Sequence, residues 1–320
     1  MFGFRAHATR RGGKTTESPA EIRARIQGAY DADVPFFSKG GLQQISNAFN
    51  SAGKSPNPCT VPIMGVDGVA VGCRLHTGQI EEDCPAPWVS PDSSVVITKP
   101  YLQYRSLEDM TGTSRTGYSF DPDSGYLPIV IEQNGEERDK TTGAIIRHPS
   151  FAPKDIAEDF FASGRAYWEA SDTFRRLGSI FFGQTNITLP PRIDKVIGFA
   201  LGTLTMRYRT EPSRSAVQHA LLLSIRDWLL ARCGVACYVQ DPMCQDADRE
   251  ILGKAGVEVV DDPEGFLKVD ENSVVVTFAP GFALREVIAD IARPAVIIWA
   301  PVEGYTGHHP PSPRVYVRKV

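Results

Sequence analysis

Runs of Val and Ile alternate with amphipathic stretches through residues 195–300, and this alternation is the clearest pattern in the chain. It predicts, in order, a strand and turn over Lys195–Thr205, a helix over Ser213–Cys233, a strand over Ala236–Gln240, a helix over Gln245–Ala255, strands over Val257–Val260 and Ser273–Phe278, a helix over Phe282–Ala292 and a strand over Ala295–Trp299. Buried strands that alternate with helices are typical of a parallel sheet covered on both faces. We therefore predict an α/β fold with a doubly wound parallel sheet in the C-terminal half.

The pattern before this region is different and predicts an accessory region of helices and short strands. Ser18-Pro19-Ala20-Glu21 is a capping box with proline at the first helical position, so a helix is expected to begin there. Apolar runs on both sides of Asp67-Gly68 predict a β-hairpin. A further helix is predicted over Lys154–Leu177, with Gly164 as a candidate break and with Ile156, Phe160, Tyr167, Phe174 and Leu177 facing the core.

These patterns divide the chain into four predicted parts. Residues 1–17 are expected to form a disordered basic arm, residues 18–150 the accessory region, residues 151–303 the α/β domain, and residues 304–320 a loop-like tail. The basic residues of the arm are Arg5, Arg10, Arg11 and Lys14. An arm that contacts nucleic acid and an organelle-targeting peptide are the alternatives for this segment.

Composition narrows the class of function. A net charge of −4 argues against a general polyanion binder, so any contact with nucleic acid would need a local basic patch. No apolar run approaches the ~18 residues of a membrane span, so we expect no membrane partner and a cytoplasmic location, with the nucleus as the alternative. The six cysteines lack the spacing of a disulfide framework and are interpreted as buried thiols in a reducing compartment.

Small and acidic residues follow the predicted strands, and they indicate where a ligand would bind. In open parallel sheets, ligands bind beyond the carboxyl ends of the strands, where the strand order reverses. The predicted ligand-binding residues are Gly202, Thr203, Asp241, Asp261, Asp262, Pro280 and Gly281. Carboxylates that converge there need a proton, a metal or a cationic partner. The alternative is that the aspartates only begin turns, because Asp241 and Asp262 each precede a proline.

No catalytic residue is assigned from these patterns. The candidates are Asp261, Asp262, Glu264 and His219, of which His219 is interpreted either as a packed core histidine or as a catalytic group near the strand ends. Neither G-x-G-x-x-G nor G-x-x-x-x-G-K-[ST] is present, so neither common nucleotide phosphate site is predicted. The adjacent His308 and His309 are interpreted as part of the solvated tail, and no metal ligand set is predicted.

Three segments, in the same order, resemble the Sensitivity to Red Light Reduced (SRR1-like) domain family. They are Arg214–Asp227, Gln240–Glu250 and Val260–Phe266, and Tyr30–Phe37, Val61–Gly65 and Ile288–Pro294 are similar to markers of its fungal branch. The resemblance implies a Rossmann-like domain and a regulatory role. We expect a small-molecule ligand or a protein as the partner. It brings no catalytic residues with it, because no enzymatic mechanism is established for the family at large.

Two further interpretations follow from resemblance. Asp261-Asp262-Pro263-Glu264 is similar to the acidic motif of fungal arginine-containing cyclodipeptide synthases, although its glutamate arrives one position early. That similarity implies an aminoacyl-tRNA-dependent transferase, with tRNA as a partner, as the alternative function. In animals the family is linked to haem metabolism, and a haem-responsive Cys-Pro would correspond to Cys84-Pro85, where we favour chance occurrence in a proline-rich loop. No cofactor is predicted.

Overall fold

The computed structural model describes residues 2–5, 7–10, 16–52, 59–75, 80–81, 90, 92–113, 124–146, 151–206, 213–230, 234–278, 280–299 and 314–318. The chain forms two compact units. The N-terminal unit contains Met1–Pro149 and Phe282–Ile291, and the C-terminal unit contains Ser150–Gly281 and Ala292–Val320.

Helices and strands are interspersed along the described residues, and they alternate one by one from residue 195 to residue 299. The helices are α1 (Pro19–Asp31), α2 (Lys39–Ala52), α3 (Leu107–Thr111), α4 (Lys154–Glu169), α5 (Asp172–Phe181), α6 (Arg214–Leu230), α7 (Asp246–Lys254), α8 (Glu264–Lys268) and α9 (Leu284–Ile291). The strands are β1 (Phe2–Arg5), β2 (His7–Arg10), β3 (Cys59–Met64), β4 (Ala70–Leu75), β5 (Ile80–Glu81), β6 (Ser93–Tyr104), β7 (Ile129–Asp139), β8 (Lys195–Phe199), β9 (Ala236–Gln240), β10 (Glu258–Val260), β11 (Ser273–Val276), β12 (Val296–Trp299) and β13 (Arg314–Val317).

Two antiparallel sheets form the β layer of the N-terminal unit, in the orders β1-β7-β6-β5 and β2-β4-β3. The predicted capping box is confirmed, because the Ser18 backbone N–H donates to the Glu21 carboxylate at 2.7 Å and the Glu21 N–H donates to Ser18 Oγ at 3.4 Å. The hairpin between β3 and β4 is also confirmed. Its turn contains Gly68 at φ +78°, a conformation that glycine adopts without a steric penalty.

The N-terminal arm differs from the prediction. Residues 2–5 and 7–10 are strands rather than a disordered segment: β1 pairs with β7 and β2 pairs with β4, both antiparallel. The partners are distant in sequence, since Phe2 lies opposite Gly135 and His7 lies opposite Arg74. A local pattern cannot reveal such pairing. Arg11 and Lys14 lie outside the described residues.

The C-terminal unit is built on a six-stranded sheet in the order β10-β9-β8-β11-β12-β13. β10, β9, β8, β11 and β12 are parallel, and β13 pairs antiparallel with β12. The tail prediction is therefore wrong for Arg314–Val317, which forms this last strand. The strand order reverses between β8 and β11, because the chain first adds β9 and β10 on one side of β8 and then β11 and β12 on the other.

Helices cover both faces of this sheet at β8. A Cβ at Gly198 would lie 3.3 Å from Leu222 of α6, whereas the ring of Phe199 stacks on Phe266 of α8 with centroids 4.6 Å apart. Successive residues of a strand point to opposite faces, so α6 and α8 lie on opposite sides of the sheet. The predicted α/β class with a mostly parallel sheet is thus confirmed.

Helix α4 continues through Gly164, where the sequence suggested a break. A Cβ at Gly164 would lie 2.5 Å from the Cβ of Ala216, so glycine allows α4 and α6 to pack closely. The buried face of α4 is Ala157, Gly164 and Trp168. Of the residues predicted to face the core, Ile156 is 37% exposed, Tyr167 is 50% exposed and Phe160 is half-buried, because α4 is rotated by about one position from the predicted face.

None of the helices that the structure describes combines the length and the apolar character that a membrane span requires.

Candidate functional site

The loop that follows β8, residues 200–205, has an unusual backbone, and we call it the rim loop. Ala200 has φ +52° and Gly202 has φ +75°. A positive φ is costly for a residue that carries a Cβ, so Ala200 must be held in place by its surroundings. The Ala200 N–H donates to the Gln240 carbonyl oxygen at 3.2 Å, which extends the pairing of β8 with β9 into the loop.

Asp241, the first residue after β9, holds the rim loop from one side. Its Oδ2 accepts a hydrogen bond from the Gly202 N–H at 2.7 Å, and its Oδ1 accepts one from the Met243 N–H at 2.9 Å. Burial raises the pKa of Asp241, while these two backbone donors act in the opposite direction. The predicted proximity of Gly202 and Asp241 at the strand ends therefore appears as a direct hydrogen bond.

Asp248, in the first turn of α7, holds the same loop from a second side. Its side chain is completely buried. It accepts hydrogen bonds from the Thr203 hydroxyl, the Leu204 N–H and the Gln245 N–H, each at 2.6 Å. A buried carboxylate is tolerated when several donors surround it, as they do here. Asp248 was not predicted from the sequence. The one feature that pointed to it is its position three residues after Gln245, the N-cap of α7, where an acid often caps a helix.

His219, in the second turn of α6, contacts the loop from a third side. It is completely buried, and its Nε2 lies 3.0 Å from the Gly202 carbonyl oxygen. Burial lowers the pKa of His219, and the Gly202 carbonyl together with the negative charges of Asp241 and Asp248 opposes that effect. A carbonyl oxygen only accepts, so Nε2 carries the proton of the neutral ring.

The acidic motif after β10 makes different contacts. Asp261 forms an ion pair with Arg249 of α7 at 2.6 Å, and the same guanidinium donates to the Val259 carbonyl oxygen. Asp262 accepts a hydrogen bond from the Gln240 side-chain amide at 2.9 Å, and Gln240 Oε1 accepts one from the Gly265 N–H at 2.7 Å. These contacts fasten the turn from β10 into α8.

The structure therefore brings together only part of the predicted site. Gly202, Thr203 and Asp241 join His219 and the unpredicted Asp248 in one hydrogen-bonded network. Asp261 is bound to Arg249 instead. Asp262 and Glu264 belong to the β10–α8 turn, where the Glu264 N–H donates to the Asp261 carbonyl oxygen. Pro280 and Gly281 follow β11, the neighbour of β8, so they share this end of the sheet by topology.

Three buried polar atoms at this end of the sheet have no hydrogen-bond partner among the residues that the structure describes. They are Ser213 Oγ, just before α6; His219 Nδ1, within α6; and Thr277 Oγ1, just after β11. Each of the three residues is at most 5% exposed. Buried polar side chains are normally paired, so an unpaired group at such a place indicates a ligand or an ordered water.

The cysteines of the described residues are thiols. Cys59, Cys73, Cys237 and Cys244 form no disulfide, and burial raises the pKa of Cys73 to about 11 and that of Cys237 to about 12. Cys84-Pro85 and His308-His309 lie outside the described part of the chain. Within that part, no three His, Cys, Asp or Glu side chains are grouped so as to hold a metal ion.

Comparison with known proteins shows which family this chain resembles. No curated protein matches the chain. The family model described as the SRR1 domain matches residues 179–318, which include β8 to β13, the rim loop, His219, Asp241 and Asp248. The predicted resemblance to the SRR1-like domain family is therefore confirmed over residues 179–318, whereas its fungal branch stays a prediction.

Proposed function

We propose that this chain is a regulatory protein whose SRR1 domain binds a small molecule at the rim loop, in a Rossmann-like crevice beyond the carboxyl ends of β8 and β11. One observation carries the proposal. Side chains from three separate elements, His219, Asp241 and Asp248, all hold the backbone of one short loop.

The position of the loop supports this proposal. The strand order reverses between β8 and β11, and in open α/β sheets ligands bind at such a reversal. The rim loop follows β8 and leads towards the N-terminus of α6, so it lies at the carboxyl end of a strand next to the reversal. A doubly wound sheet was expected from the sequence, and the position of Gly202 and Thr203 directly after β8 supports their role at the proposed site.

The free-energy cost of the rim loop conformation also supports the proposed binding site. Holding a residue such as Ala200 at positive φ costs on the order of 1–3 kcal/mol, and burying carboxylates costs more unless donors surround them. Backbone held in an unfavourable conformation by surrounding contacts is found mostly at binding and catalytic sites. A loop already fixed in one conformation presents its groups to a ligand without a further entropic cost of ordering at the moment of binding.

A regulatory role follows if the ligand favours one conformation of this loop. Ligands shift a conformational equilibrium only by their difference in affinity for the two states. Because the rim loop is held by hydrogen bonds, it can also adopt conformations in which those bonds are broken. Ligand binding would therefore stabilise the conformation in which the rim loop keeps these hydrogen bonds. It would also change the surface that the rim loop presents to a protein partner.

Native mass spectrometry of the full chain tests the proposal. The protein is equilibrated with the small-molecule fraction of a cell extract and compared with Asp248→Asn and with the control Asp246→Asn, which alters an exposed acid on the same helix. We expect an added mass on the wild-type and control proteins and its loss in Asp248→Asn. Absence of any added mass on the wild-type protein contradicts the proposal.

The alternative function, an aminoacyl-tRNA-dependent transferase, has less support. A substrate guanidinium would need the carboxylates of the acidic motif, but Asp261 already binds the guanidinium of Arg249 and Asp262 binds the Gln240 amide. Expression in a heterologous host, followed by mass analysis for arginine-bearing diketopiperazines, separates the two functions. Product that disappears in Asp262→Asn would establish the transferase in place of the ligand-binding role.

A further inference from the structure

The strand β13 is the last of the six-stranded sheet, and no other strand of the described residues pairs with its outer side. The Arg318 N–H, directly after β13, donates to the Ala295 carbonyl oxygen at 3.0 Å, which continues the antiparallel register with β12. In such a pair, every second residue exchanges its backbone hydrogen bonds with the partner strand, and the residues between them point away. Counting back from Arg318, the N–H and C=O groups of Val315 and Val317 therefore face outward.

The side chains of β13 follow the same alternation. Arg314, Tyr316 and Arg318 are exposed and lie on one face, which we call the edge stripe, whereas the two valines between them are half-buried against the core on the other face. At about 3.3 Å per residue, the two arginines are about 13 Å apart along the strand. The Tyr316 ring contacts Trp299 of β12, with ring centroids 5.3 Å apart. The edge stripe therefore places a positive charge on each side of an aromatic ring.

The opposite edge of the sheet, at β10, is partly closed by a side chain. There the Arg249 guanidinium donates to the Val259 carbonyl oxygen of the edge strand and forms an ion pair with Asp261. Covering an edge is one of the ways in which natural sheets prevent another strand from adding. At β13, no hydrogen bond of the described residues reaches the outward groups of Val315 and Val317. Of the two edges, β13 is therefore the one where a further strand can pair.

The two arginines limit which strand can add. If a second copy of this chain paired antiparallel about Tyr316, Arg314 of one copy would lie opposite Arg318 of the other, and like charges directly opposite each other are destabilising. Acidic residues at those two positions would instead form favourable cross-strand pairs. Neither arginine has an ion-pair partner among the residues that the structure describes. The charges therefore oppose self-association and favour an acidic partner.

We propose that β13 is a docking edge for an extended acidic segment of a partner protein, which adds as an antiparallel strand with carboxylates opposite Arg314 and Arg318. Its backbone would pair with the outward groups of Val315 and Val317, the mode of recognition in which a peptide extends a sheet. A nucleic acid would meet the arginines but has no backbone that pairs with these groups. The inference does not depend on the small molecule proposed for the rim loop.

Nuclear magnetic resonance of the full chain with ¹⁵N-labelled valine tests the inference. The probe is a β-hairpin peptide closed by an asparagine-glycine turn, because a preformed strand binds without a further entropic cost of ordering. Its free edge carries the sequence glutamate-valine-tyrosine-valine-glutamate, with the valine N–H groups directed outward. The amide signals of Val315 and Val317 are identified by their loss in Val315→Ile and Val317→Ile. We expect the probe to shift both signals in a saturable manner.

Two matched peptides separate backbone pairing from charge. In the first, the two outward valine N–H groups are N-methylated, which keeps the charge and blocks strand addition, so we expect no saturable shift. In the second, glutamine replaces both glutamates, and we expect binding about tenfold weaker than that of the probe. If the N-methylated peptide binds as tightly as the probe, strand addition is overturned. If the glutamine peptide does so, selection by charge is overturned.

A charge-reversed variant gives a second readout. Arg314→Glu combined with Arg318→Glu changes two exposed side chains, so the unfolding temperature should be nearly unchanged. The variant should prefer a hairpin in which lysine replaces both glutamates. The control, Arg175→Glu combined with Arg176→Glu on the exposed surface of α5, makes the same change in net charge and should keep the preference for glutamate. A folded edge variant that still prefers glutamate contradicts the role of the two arginines.

Other occupants of the edge are outcomes of the same titration. Shifts of Val315 and Val317 that grow with protein concentration in the absence of peptide, together with a dimer in analytical ultracentrifugation, would make a second copy the partner and overturn the inference. A saturable shift with single-stranded oligouridylate, but not with the hairpin, would assign the edge stripe to nucleic acid. Unchanged signals with every probe also overturn the inference.

Discussion

Asp248 accepts a hydrogen bond from the Leu204 N–H at 2.6 Å, and this contact joins the first turn of α7 to the rim loop across 44 residues of chain. The same carboxylate accepts from the Thr203 hydroxyl and from the Gln245 N–H. One side chain thus caps a helix and fixes a loop that follows a different strand. Asp248 thus accepts two hydrogen bonds from the rim loop, whereas Asp241 and His219 each make one.

Removing the Asp248 carboxylate should be strongly destabilising. In Asp248→Ala three donors lose their acceptor, and buried unpaired donors cost roughly 1–3 kcal/mol each, so we expect a loss of about 3 kcal/mol or more in the free energy of unfolding. The matched control is Asp246→Ala, which removes an exposed acid from the same helical turn and should cost less than about 1 kcal/mol. Urea unfolding measures both. Equal losses in the two variants would show that Asp248 does not hold the loop.

The burial of His219 predicts a dependence of stability on pH. The pKa of His219 is lowered in the folded protein, so the unfolded chain binds the proton first as pH falls. The contribution of His219 is fully present above its unfolded pKa of about 6.5 and is lost as pH falls towards the folded value, by up to about 1.4 kcal/mol per pH unit. The raised pKa of Asp241 has the opposite sign: its contribution is present below its unfolded pKa of about 3.9 and is lost as pH rises through the folded value.

The variant His219→Gln isolates this effect, because Asp241 and the other titrating groups are retained. We expect the wild-type free energy of unfolding to fall between about pH 7.5 and about pH 5.5, and the variant to show a shallower slope. Parallel slopes for the two proteins would mean that His219 is able to take up a proton in the folded state.

Asp261 should matter much less for stability. Its ion pair with Arg249 is partly exposed, with 53% of the Asp261 side chain and 36% of the Arg249 side chain accessible. Exposed ion pairs contribute less than about 1 kcal/mol, so Asp261→Asn should leave the free energy of unfolding nearly unchanged. A loss above about 2 kcal/mol would contradict the separation between the acidic motif and the rim loop network.

The parallel sheet was predictable from sequence because its strands are buried on both faces and therefore form runs of apolar residues that can be recognised locally. The strand predicted at Ala236–Gln240 matches β9, and the predicted start of the helix after it lies within one residue of α7. β1 and β2 were missed because their partners lie far along the chain. Asp248 was missed for a similar reason: an acid in a first helical turn is common on exposed surfaces, and only the folded chain places this one against Thr203.

The structure brings together those predicted residues whose position follows from chain topology, and it separates those whose side chains bind other partners. Parallel strands end at the same side of a sheet, so Gly202 and Asp241 could be expected to meet. The same rule applied to Asp261, but Arg249 lies within reach of it and binds it. The sequence pattern does not show which of two neighbouring carboxylates will form an ion pair with an arginine in the folded chain.

The two helical glycines Gly164 and Gly28 should respond in opposite ways to alanine. A Cβ at Gly164 would lie 2.5 Å from the Cβ of Ala216, so Gly164→Ala should cost about 1–3 kcal/mol through displacement of α4 from α6. A Cβ at Gly28, in α1, would have no atom within 4 Å apart from its chain neighbours and the backbone of its own helix, and Gly28→Ala should stabilise the protein by about 0.5–1 kcal/mol. Thermal unfolding of both variants checks this. Stabilisation by Gly164→Ala would contradict the close packing of the two helices.

Amide hydrogen exchange at the rim loop is the decisive measurement of whether a ligand binds there. The exchange of peptides covering residues 200–205 is measured by mass spectrometry in the full chain, with and without the small-molecule fraction of a cell extract, and α1 serves as the internal control. We expect the fraction to slow exchange in the loop of the wild-type protein, to leave α1 unchanged, and to have no effect on the loop of Asp248→Asn. Identical exchange at the wild-type loop with and without the fraction would contradict it.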